Sequence, residues 1–250
     1  MGIAALFSLR ATIRPMRAMA LLMTMVVALA GLAAPAAAEW TIDLYGGAAW
    51  LPPADLDVSG SDNTGASVRG SLFDIHTDTA LTVGTRFGYW LESVPFLGFD
   101  LDLFYLHVPI PKQTRSGTAR LTGEFLDRPI SVSINGTAAI PDATLPLLGF
   151  APEIRLRWPL MVDAAFPTGR LQPYLSAGPA WAFSLDNDEL TVELGGKVGV
   201  GLAFHLARWI ALFGEYRYIF YPGMELTDRN LTYKADIKTH SVVLGVSFRF

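Results

Sequence analysis

Eight segments of this chain alternate between large apolar residues and small or polar residues. They lie near residues 40–50, 80–90, 97–107, 147–158, 171–184, 194–206, 209–221 and 238–250. A period of two is typical of β-strands with two unlike faces. Within the strand cores, every charged residue lies on the face opposite the large apolar residues. The pattern predicts an all-β protein whose strands separate an apolar surface from a charged one.

The charged face is near balance between acids and bases. Its members are Asp43, Asp100, Asp102, Glu153 and Glu215 against Arg86, Arg155, Arg157, Lys197, Arg217 and Arg249. Inside a small barrel these side chains would meet across the lumen, whereas a lysine or arginine facing lipid at mid-bilayer costs roughly 2–4 kcal/mol. A soluble sandwich would instead show its charges to water and pack the apolar face inward. Parity alone permits both folds.

The first 38 residues have the features of a secretory signal peptide. Arg10, Arg14 and Arg17 precede an apolar run over 18–32, and three alanines at 36–38 stand before Glu39. A basic start, an apolar stretch and a small-residue site predict export with cleavage after Ala38. The apolar run is short for a membrane helix. Met16 is an alternative start of translation, because it would open a signal of more ordinary length.

Composition excludes several classes of function. The formal charge of the chain is −4, and removal of the three leader arginines takes it to −7. This argues against nucleic acid as a partner, which would require clustered positive charge. The chain has no cysteine, so a disulfide scaffold, a cysteine-ligated metal site and a lipid anchor on cysteine are excluded. Residues 39–250 amount to one domain.

After residue 38 no apolar run approaches the length of a spanning helix. A membrane is crossed only by α-helices and closed barrels, because both satisfy their backbone hydrogen bonds internally. With the signal peptide and the chain end, this favours an eight-stranded antiparallel up-and-down transmembrane β-barrel. Tryptophans near the predicted strand ends suit the interfacial girdles of such barrels. They are Trp40, Trp50, Trp90, Trp158, Trp181 and Trp209, of which Trp90 and Trp209 share the parity of inward residues.

The connections alternate in length, as outer-membrane barrels require. Turns 91–96 and 205–209 are short and 159–170 is moderate, whereas 51–79, 108–146, 185–193 and 222–237 are predicted outer loops. Within 108–146, segments 119–125 and 130–134 flank Leu126-Asp127-Arg128-Pro129, which predicts a hairpin above the membrane. Prolines at Pro152, Pro173 and Pro179 fit badly inside closed-barrel strands, because each removes a backbone donor.

The last strand resembles those of the small outer-membrane β-barrel family typified by the OmpA transmembrane domain and OmpX. The stretch 242–250 is similar to the family's C-terminal assembly signal, marked by Gly245, Phe248 and the terminal Phe250. Segments 44–47, 173–181 and 213–218 also resemble strands of that family. The resemblance implies an outer-membrane location. It also implies lipid, lipopolysaccharide, periplasmic chaperones and the barrel-assembly machinery as partners, with no cofactor.

The candidates for catalytic chemistry are the four histidines, His76, His107, His205 and His240. Lipid A deacylases of this size place a serine two residues from a histidine, on the same strand face. Here the residues two beyond each histidine are Asp78, Pro109, Ala207 and Val242. His240 and Ser241 are neighbours and would point to opposite faces. The sequence therefore predicts no catalytic residue.

Two groups of acidic residues are further candidates for a functional site. His76 with Asp74 and Asp78 could touch a divalent cation, but a solvated acidic loop is the simpler interpretation because no third strong ligand is placed by spacing. The Asp100 and Asp102 pair could suggest acid–base chemistry, but with six inward basic residues salt bridging across the lumen is simpler. No metal site is predicted.

The leading hypothesis is a non-enzymatic barrel with a lumen plugged by side chains and a structural or surface-interaction role. An eight-stranded barrel has an interior that side chains can fill. The alternatives are a narrow porin or OmpW-like channel for small molecules and, less favoured, a lipid A-modifying enzyme. The sequence does not indicate a particular extracellular ligand.

Overall fold

The computed structural model describes residues 39–61, 67–125, 128–186, 189–228 and 231–250, and the predicted signal peptide lies outside them. This part forms twelve antiparallel strands. They are β1 (Glu39–Trp50), β2 (Ala54–Ser61), β3 (Ser67–Ile75), β4 (Ala80–Trp90), β5 (Leu97–Ile110), β6 (Gln113–Phe125), β7 (Arg128–Ile140), β8 (Ala143–Arg157), β9 (Leu171–Asp186), β10 (Glu189–Ala207), β11 (Ile210–Asp228) and β12 (Leu231–Arg249). Among the described residues, no helix is long and apolar enough to cross a membrane.

Eight of the twelve strands close a barrel. The order β1-β4-β5-β8-β9-β10-β11-β12 returns to its start, because β12 also pairs with β1. The closing seam runs from Thr41 opposite Arg249 to Trp50 opposite His240. Beyond it, the backbones of Trp40 and Phe250 exchange hydrogen bonds of 3.0 and 3.2 Å. These eight strands correspond to the eight predicted segments, and the total differs from eight because four more strands form outside the ring.

The alternation in the sequence becomes an inside and an outside of the ring. Along β12, Val243 is fully buried, whereas Val242 and Leu244 on either side of it are 46% and 69% exposed. Successive side chains of a strand point to opposite faces, so one row fills the lumen and the other faces the surroundings. The outside of the ring is apolar, which suits hydrocarbon and not water.

The four additional strands form a sheet beyond one end of the ring. Its order is β12-β2-β3-β6-β7, and we call the four strands β2, β3, β6 and β7 the outer sheet. The predicted hairpin in 108–146 is confirmed, because β6 and β7 pair from Gln113 opposite Ile140 to Phe125 opposite Arg128. The hairpin of β2 and β3 was not predicted. Because its alternation is short, the sequence pattern predicts an outer loop over 51–79.

The two faces of the wall exchange character where the ring continues into the outer sheet. Lys234, which has the outward parity of β12, lies opposite Asp57, and Tyr233, which has the inward parity, lies opposite Val58. The outer sheet therefore shows polar residues on the face that continues the outside of the ring, and apolar residues on the face that continues the lumen. The inversion follows the change of solvent, because the outside of the wall meets lipid below and water above.

A bulge in β11 lies at this transition. The pairing with β12 shifts between Tyr221 and Met224. Gly223 in the bulge has φ of 60°, a left-handed conformation that favours glycine. Its backbone nitrogen donates to Asp236 Oδ1 at 2.8 Å.

The prolines occupy two kinds of position. Pro173 lies at the end of the β8–β9 pairing, one residue beyond the last pair of Arg157 with Tyr174. Pro152 and Pro179 lie directly opposite each other across β8 and β9, in a stretch where the ladder is interrupted. A proline has no backbone donor, and two opposed prolines remove two hydrogen bonds at one place. Pro152 and Pro179 therefore mark a gap in the pairing of β8 with β9, whereas Pro173 lies at the end of that pairing.

Candidate functional site

The lumen contains charged side chains in its periplasmic half. Ten of the eleven predicted lumen residues are buried there: Asp43, Arg86, Asp100, Asp102, Glu153, Arg155, Arg157, Lys197, Glu215 and Arg217. The eleventh, Arg249, is half-buried at the periplasmic end. The structure therefore places all eleven on the inner face, where the parity of each strand directs them.

Lys197 is the centre of one cluster. Its ammonium contacts both Asp102 Oδ2 and Glu153 Oε1. Asp102 has two further partners, because Arg217 Nη1 lies 3.4 Å from Oδ2 and the hydroxyl of Tyr45 donates to Oδ1 at 2.6 Å. The Arg217 guanidinium also stacks on the Tyr45 ring at 3.8 Å. Charges removed from water need partners of this kind, since an unpaired buried charge is very costly.

Glu215 joins this cluster to a second one. One carboxylate oxygen contacts Arg217 Nε, and the other accepts from Arg86 Nη2 at 2.6 Å. The hydroxyl of Tyr174 donates to the same oxygen at 2.7 Å. Glu215 thus bridges two arginines that come from different strands, which ties opposite parts of the wall together across the lumen.

Arg155 completes the second cluster. Its guanidinium lies 2.5 Å from Asp100 and 3.2 Å from Asp43, and Arg86 reaches Asp43 at 3.7 Å. Asp100 and Asp102 share a face as predicted, yet each faces different cations. Their geometry is that of salt bridging and not of a carboxyl pair that shares a proton.

A third cluster, which we call the periplasmic clamp, closes the lower end of the lumen. Both carboxylate oxygens of Glu39 accept from Arg157, at 2.8 and 2.9 Å, and Arg249 Nη1 lies 2.9 Å from Oε1. Arg249 also donates to Gln172 at 2.7 Å, and Arg157 stacks on the Trp90 ring at 4.0 Å. The sequence reasoning missed Glu39, although its parity with Thr41 and Asp43 directs it inward.

Trp90 departs from the prediction of an interfacial girdle. It is buried inside the lumen, and its parity was the signal that could have placed it there. Gly98 allows this position, because a Cβ there would lie 2.7 Å from the indole.

We expect Glu39→Gln to lower the free energy of unfolding by about 1–3 kcal/mol, because two arginines then lose their only carboxylate partner in the clamp. Urea unfolding of residues 39–250, refolded into detergent micelles, measures the change. Glu92→Gln is the control, because Glu92 lies exposed in the turn after β4, and it should change stability by no more than about 0.5 kcal/mol. Equal midpoints for the two variants would contradict the clamp.

The extracellular half of the lumen is mainly apolar, and its buried polar side chains include Thr82 and Thr239. Its buried apolar side chains are Phe104, Leu106, Val108, Leu147, Tyr221 and Met224, while Ile219 opposite Lys197 and Val243 opposite Glu215 lie at the boundary with the charged clusters. The ring of Phe104 fills the space left by Gly149, where a Cβ would lie 2.1 Å from it. We call this group the apolar layer. It was not predicted, although its members continue the inward parity of the charged residues on the same strands.

The sequence of this chain matches the model of a known protein family. The model of the family described as "Outer membrane protein beta-barrel domain" matches residues 24–250. The chain belongs to that family. It is an integral outer-membrane β-barrel protein, and its location is the bacterial outer membrane. None of the curated proteins matches it in sequence.

Solved outer-membrane structures resemble this family member at low identity. OprG from Pseudomonas aeruginosa is 14% identical with a TM-score of 0.47, and the match covers 85% of this chain and 95% of OprG. Neisserial surface protein A is 14% identical with a TM-score of 0.40, covering 86% and 98% of the two chains. The N-terminal barrel domain of Pseudomonas aeruginosa OprF is 12% identical with a TM-score of 0.38, covering 85% and 97%.

The outside of this outer-membrane barrel carries aromatic residues at both rims. Trp40, Trp158 and Trp209 are exposed at the periplasmic end and Trp50 at the extracellular end. Trp50 stacks with His240, whose Nδ1 lies 2.6 Å from the hydroxyl of Tyr216. Such amphipathic rings prefer the level of lipid headgroups, so these residues mark the two membrane boundaries.

His107, His205 and His240 do not form catalytic pairs. His107 faces outward beside Tyr105, with 3.5 Å between His107 Nδ1 and the hydroxyl. His205 is buried at the periplasmic end of the lumen and stacks with Phe166. His240 and Ser241 point to opposite faces, since Ser241 is buried in the lumen.

His76 and Asp74 lie together outside the membrane, and the guanidinium of Arg115 contacts both of them. Arg115 Nη2 lies 2.5 Å from His76 Nδ1, and Arg115 Nη1 lies 3.4 Å from Asp74 Oδ2. Within the described ranges, no group of three histidine or acidic side chains is placed to hold a metal ion.

Proposed function

We propose that this protein is a non-conducting, non-enzymatic membrane anchor that displays the outer sheet for contacts at the cell surface. One observation carries the proposal: the lumen is filled by two successive layers of different chemistry. The charged layer lies toward the periplasm and the apolar layer lies above it. A solute would have to pass both.

The two layers oppose different solutes. The charged layer joins the ring from several strands, and displacing one of its ions would leave its partners buried without compensation. The apolar layer is packed by large side chains such as Phe104, Leu147 and Tyr221, and it contains no charged side chain to replace an ion's hydration shell. A hydrated ion is therefore opposed most strongly in the upper half of the lumen, and an apolar solute in the lower half.

The outer sheet supports a role in surface contacts. Its last two strands, β6 and β7, expose apolar residues on the face that continues the lumen: Leu121, Ile130, Val132 and Ile134. Exposed apolar patches of soluble surfaces commonly mark interaction sites. The opposite face is polar, so the sheet offers two surfaces of different chemistry.

We expect the purified protein to give no discrete, reproducible openings in planar lipid bilayers, because both layers block the lumen. Recordings in potassium chloride across a range of voltages measure this. A heat-modifiable gel shift of the same preparation confirms that the barrel is folded. Regular unitary openings of folded protein would contradict the plugged lumen and favour a narrow porin.

One observation favours a second candidate, a conduit from which small apolar molecules leave the lumen sideways through the barrel wall. The seam between β8 and β9 lacks pairing around Pro152 and Pro179, and Ala151 and Ala180 place only small side chains on its lumen side. Uptake of a small apolar dye into proteoliposomes tests this candidate. Uptake above that of protein-free liposomes would replace the anchor with the conduit.

The absence of catalysis is part of the proposal. It is supported by the positions of the four histidines, which are separated from one another and lack a serine on the same strand face. Mass spectrometry of lipid A from cells with and without the protein tests it. A changed acyl pattern would overturn the assignment.

A further inference from the structure

Two arginines lie directly opposite each other on the polar face of the outer sheet. Arg69 of β3 pairs with Arg120 of β6, and both side chains are exposed. Directly opposite residues have Cβ atoms about 4.5–5.5 Å apart, and like charges at such positions are destabilising. A cross-strand pair of this kind needs a counter-charge.

Within the described residues the protein supplies that counter-charge only in part. Arg120 donates through Nε to the hydroxyl of Ser131 at 2.8 Å, and neither arginine forms an ion pair with an acid there. Asp57 lies nearby, but its Oδ1 accepts from the Ser71 hydroxyl at 2.5 Å. The Asp57 carboxylate lines the same cavity as the two guanidinium groups and balances one of their charges, so one positive charge there has no counter-charge among the described residues.

The arginines border a shallow cavity of about 560 Å³, which Asp57 also lines. Its other side chains include Ser59, Ser71, Thr118, Ser133 and Asn135. The hydroxyls and the amide can donate hydrogen bonds to an oxygen-rich group, and guanidinium groups bind phosphate through paired N–H donors. Two guanidiniums, hydroxyl donors and a cavity of this size suit a phosphorylated sugar.

The position of the cavity indicates where this sugar would come from. The polar face continues the lipid-facing wall of β12, and Arg69 lies in the row of Thr232, eight residues above His240 in the rim. At about 3.3 Å per residue this is roughly 26 Å along the strand. With a strand tilt of about 40° it is roughly 20 Å above the rim. That level, beside the wall, is occupied by the core sugars of lipopolysaccharide, which carry phosphate.

The neighbouring cations, Lys234 and Arg115, do not contribute to the site. Lys234, in the next row, donates to Glu225 at 2.8 Å, and this hydrogen bond raises the pKa of Lys234. Its charge is therefore matched within the protein. Arg115 on β6 has the opposite parity to Arg120 and pairs with Asp74, so it belongs to the other face of the sheet.

We propose that Arg69 and Arg120 form a binding site for a phosphate group on the core sugars of lipopolysaccharide. The proposal rests on the outer sheet standing outside the membrane, as the proposed function has it. It adds a partner for the polar face. Bound lipopolysaccharide would neutralise the arginine pair and hold the sheet against the sugar layer.

The test compares lipopolysaccharide binding by wild-type protein, Arg69→Gln/Arg120→Gln and Arg115→Gln, each in phospholipid nanodiscs. The probes are lipopolysaccharide with a phosphorylated core, the same material after removal of its phosphates, and inositol hexakisphosphate. We expect the double variant to bind phosphorylated lipopolysaccharide at least about tenfold more weakly, because two charge-assisted contacts are lost. Arg115→Gln removes one equal charge from the other face and should change the affinity by no more than about twofold.

Three results would overturn the site. The double variant could bind as tightly as wild type, Arg115→Gln could lose as much affinity as the double variant, or the dephosphorylated probe could bind as well as the phosphorylated one. If inositol hexakisphosphate binds to the arginines more tightly than lipopolysaccharide, the site is one for a soluble anion and the glycolipid assignment is wrong. Bilayer recordings separate this proposal from the anchor, because a conducting barrel would contradict the plug and leave the binding result standing.

Discussion

Lys197→Met is expected to lower the free energy of unfolding of the barrel by about 3–5 kcal/mol, because it removes one partner from a buried cluster of charges. Lys197 is almost completely buried and contacts both Asp102 and Glu153. Without it, Asp102 keeps Arg217 and Tyr45, but Glu153 loses its ion-pair partner. Urea unfolding of refolded protein in micelles, followed by tryptophan fluorescence and the heat-modifiable gel shift, measures the loss.

A compensated variant separates the charge effect from packing. Lys197→Met/Asp102→Asn/Glu153→Gln removes the lysine together with both acids that it contacts, and it should recover most of the stability, because well-packed neutral groups can replace buried ions. A single variant that costs less than about 1 kcal/mol would show that the lumen is hydrated enough to screen these charges. A triple variant no better than the single one would attribute the loss to the shape of the lysine side chain.

Phe104→Ala is expected to lower the free energy of unfolding by about 3–5 kcal/mol, because it leaves a cavity in the apolar layer. Phe104 is 4% exposed, and Gly149 on the neighbouring strand has no side chain to fill the space. The same unfolding experiment measures the change. Phe104→Leu is the matched control, which keeps most of the apolar volume and should cost less than about 1.5 kcal/mol.

This variant also tests the seal of the lumen. If the apolar layer blocks ions, Phe104→Ala should show conductance bursts that wild type and Phe104→Leu lack. Equal stability of the alanine and leucine variants would mean that the layer is loosely packed, and the plug would then depend on the charged layer alone.

The membrane ring could be predicted from the sequence because lipid imposes a strict rule. Every charge on a spanning strand must avoid the lipid face, so Asp43, Arg86 and Arg217 are placed inward by parity alone. The same rule could have placed Glu39, and the inward parity of Trp90 could have placed it in the lumen. Both residues lie at strand ends, where the sequence does not show at which residue the strand ends and the turn begins.

The outer sheet was only partly predictable, for a physical reason. Outside the membrane no lipid enforces alternation, and a hairpin such as β2 and β3 is stabilised by pairing with β12 and β6 that lies far away in sequence. The opposed arginines Arg69 and Arg120 depend on that register. A shift of one residue would have put them on different faces.

The ion pairs themselves were beyond the sequence. Composition and parity predict that five acids and six bases share the lumen, but partner choice depends on how the ring closes. Glu215 meets Arg86 and Arg217, while Lys197 meets Asp102 and Glu153, because the tilt of the strands sets which levels face one another across the lumen.

The sequence by itself determined that eight strands build a wall with an apolar outside and a charged inside, because period-two alternation and the exclusion of charge from lipid are local properties. Only the tertiary structure decided the apolar layer above the charges, the gap between Pro152 and Pro179 and the arginine pair on the outer sheet. Each of these depends on which strands become neighbours and in what register. Neither is encoded in any one strand.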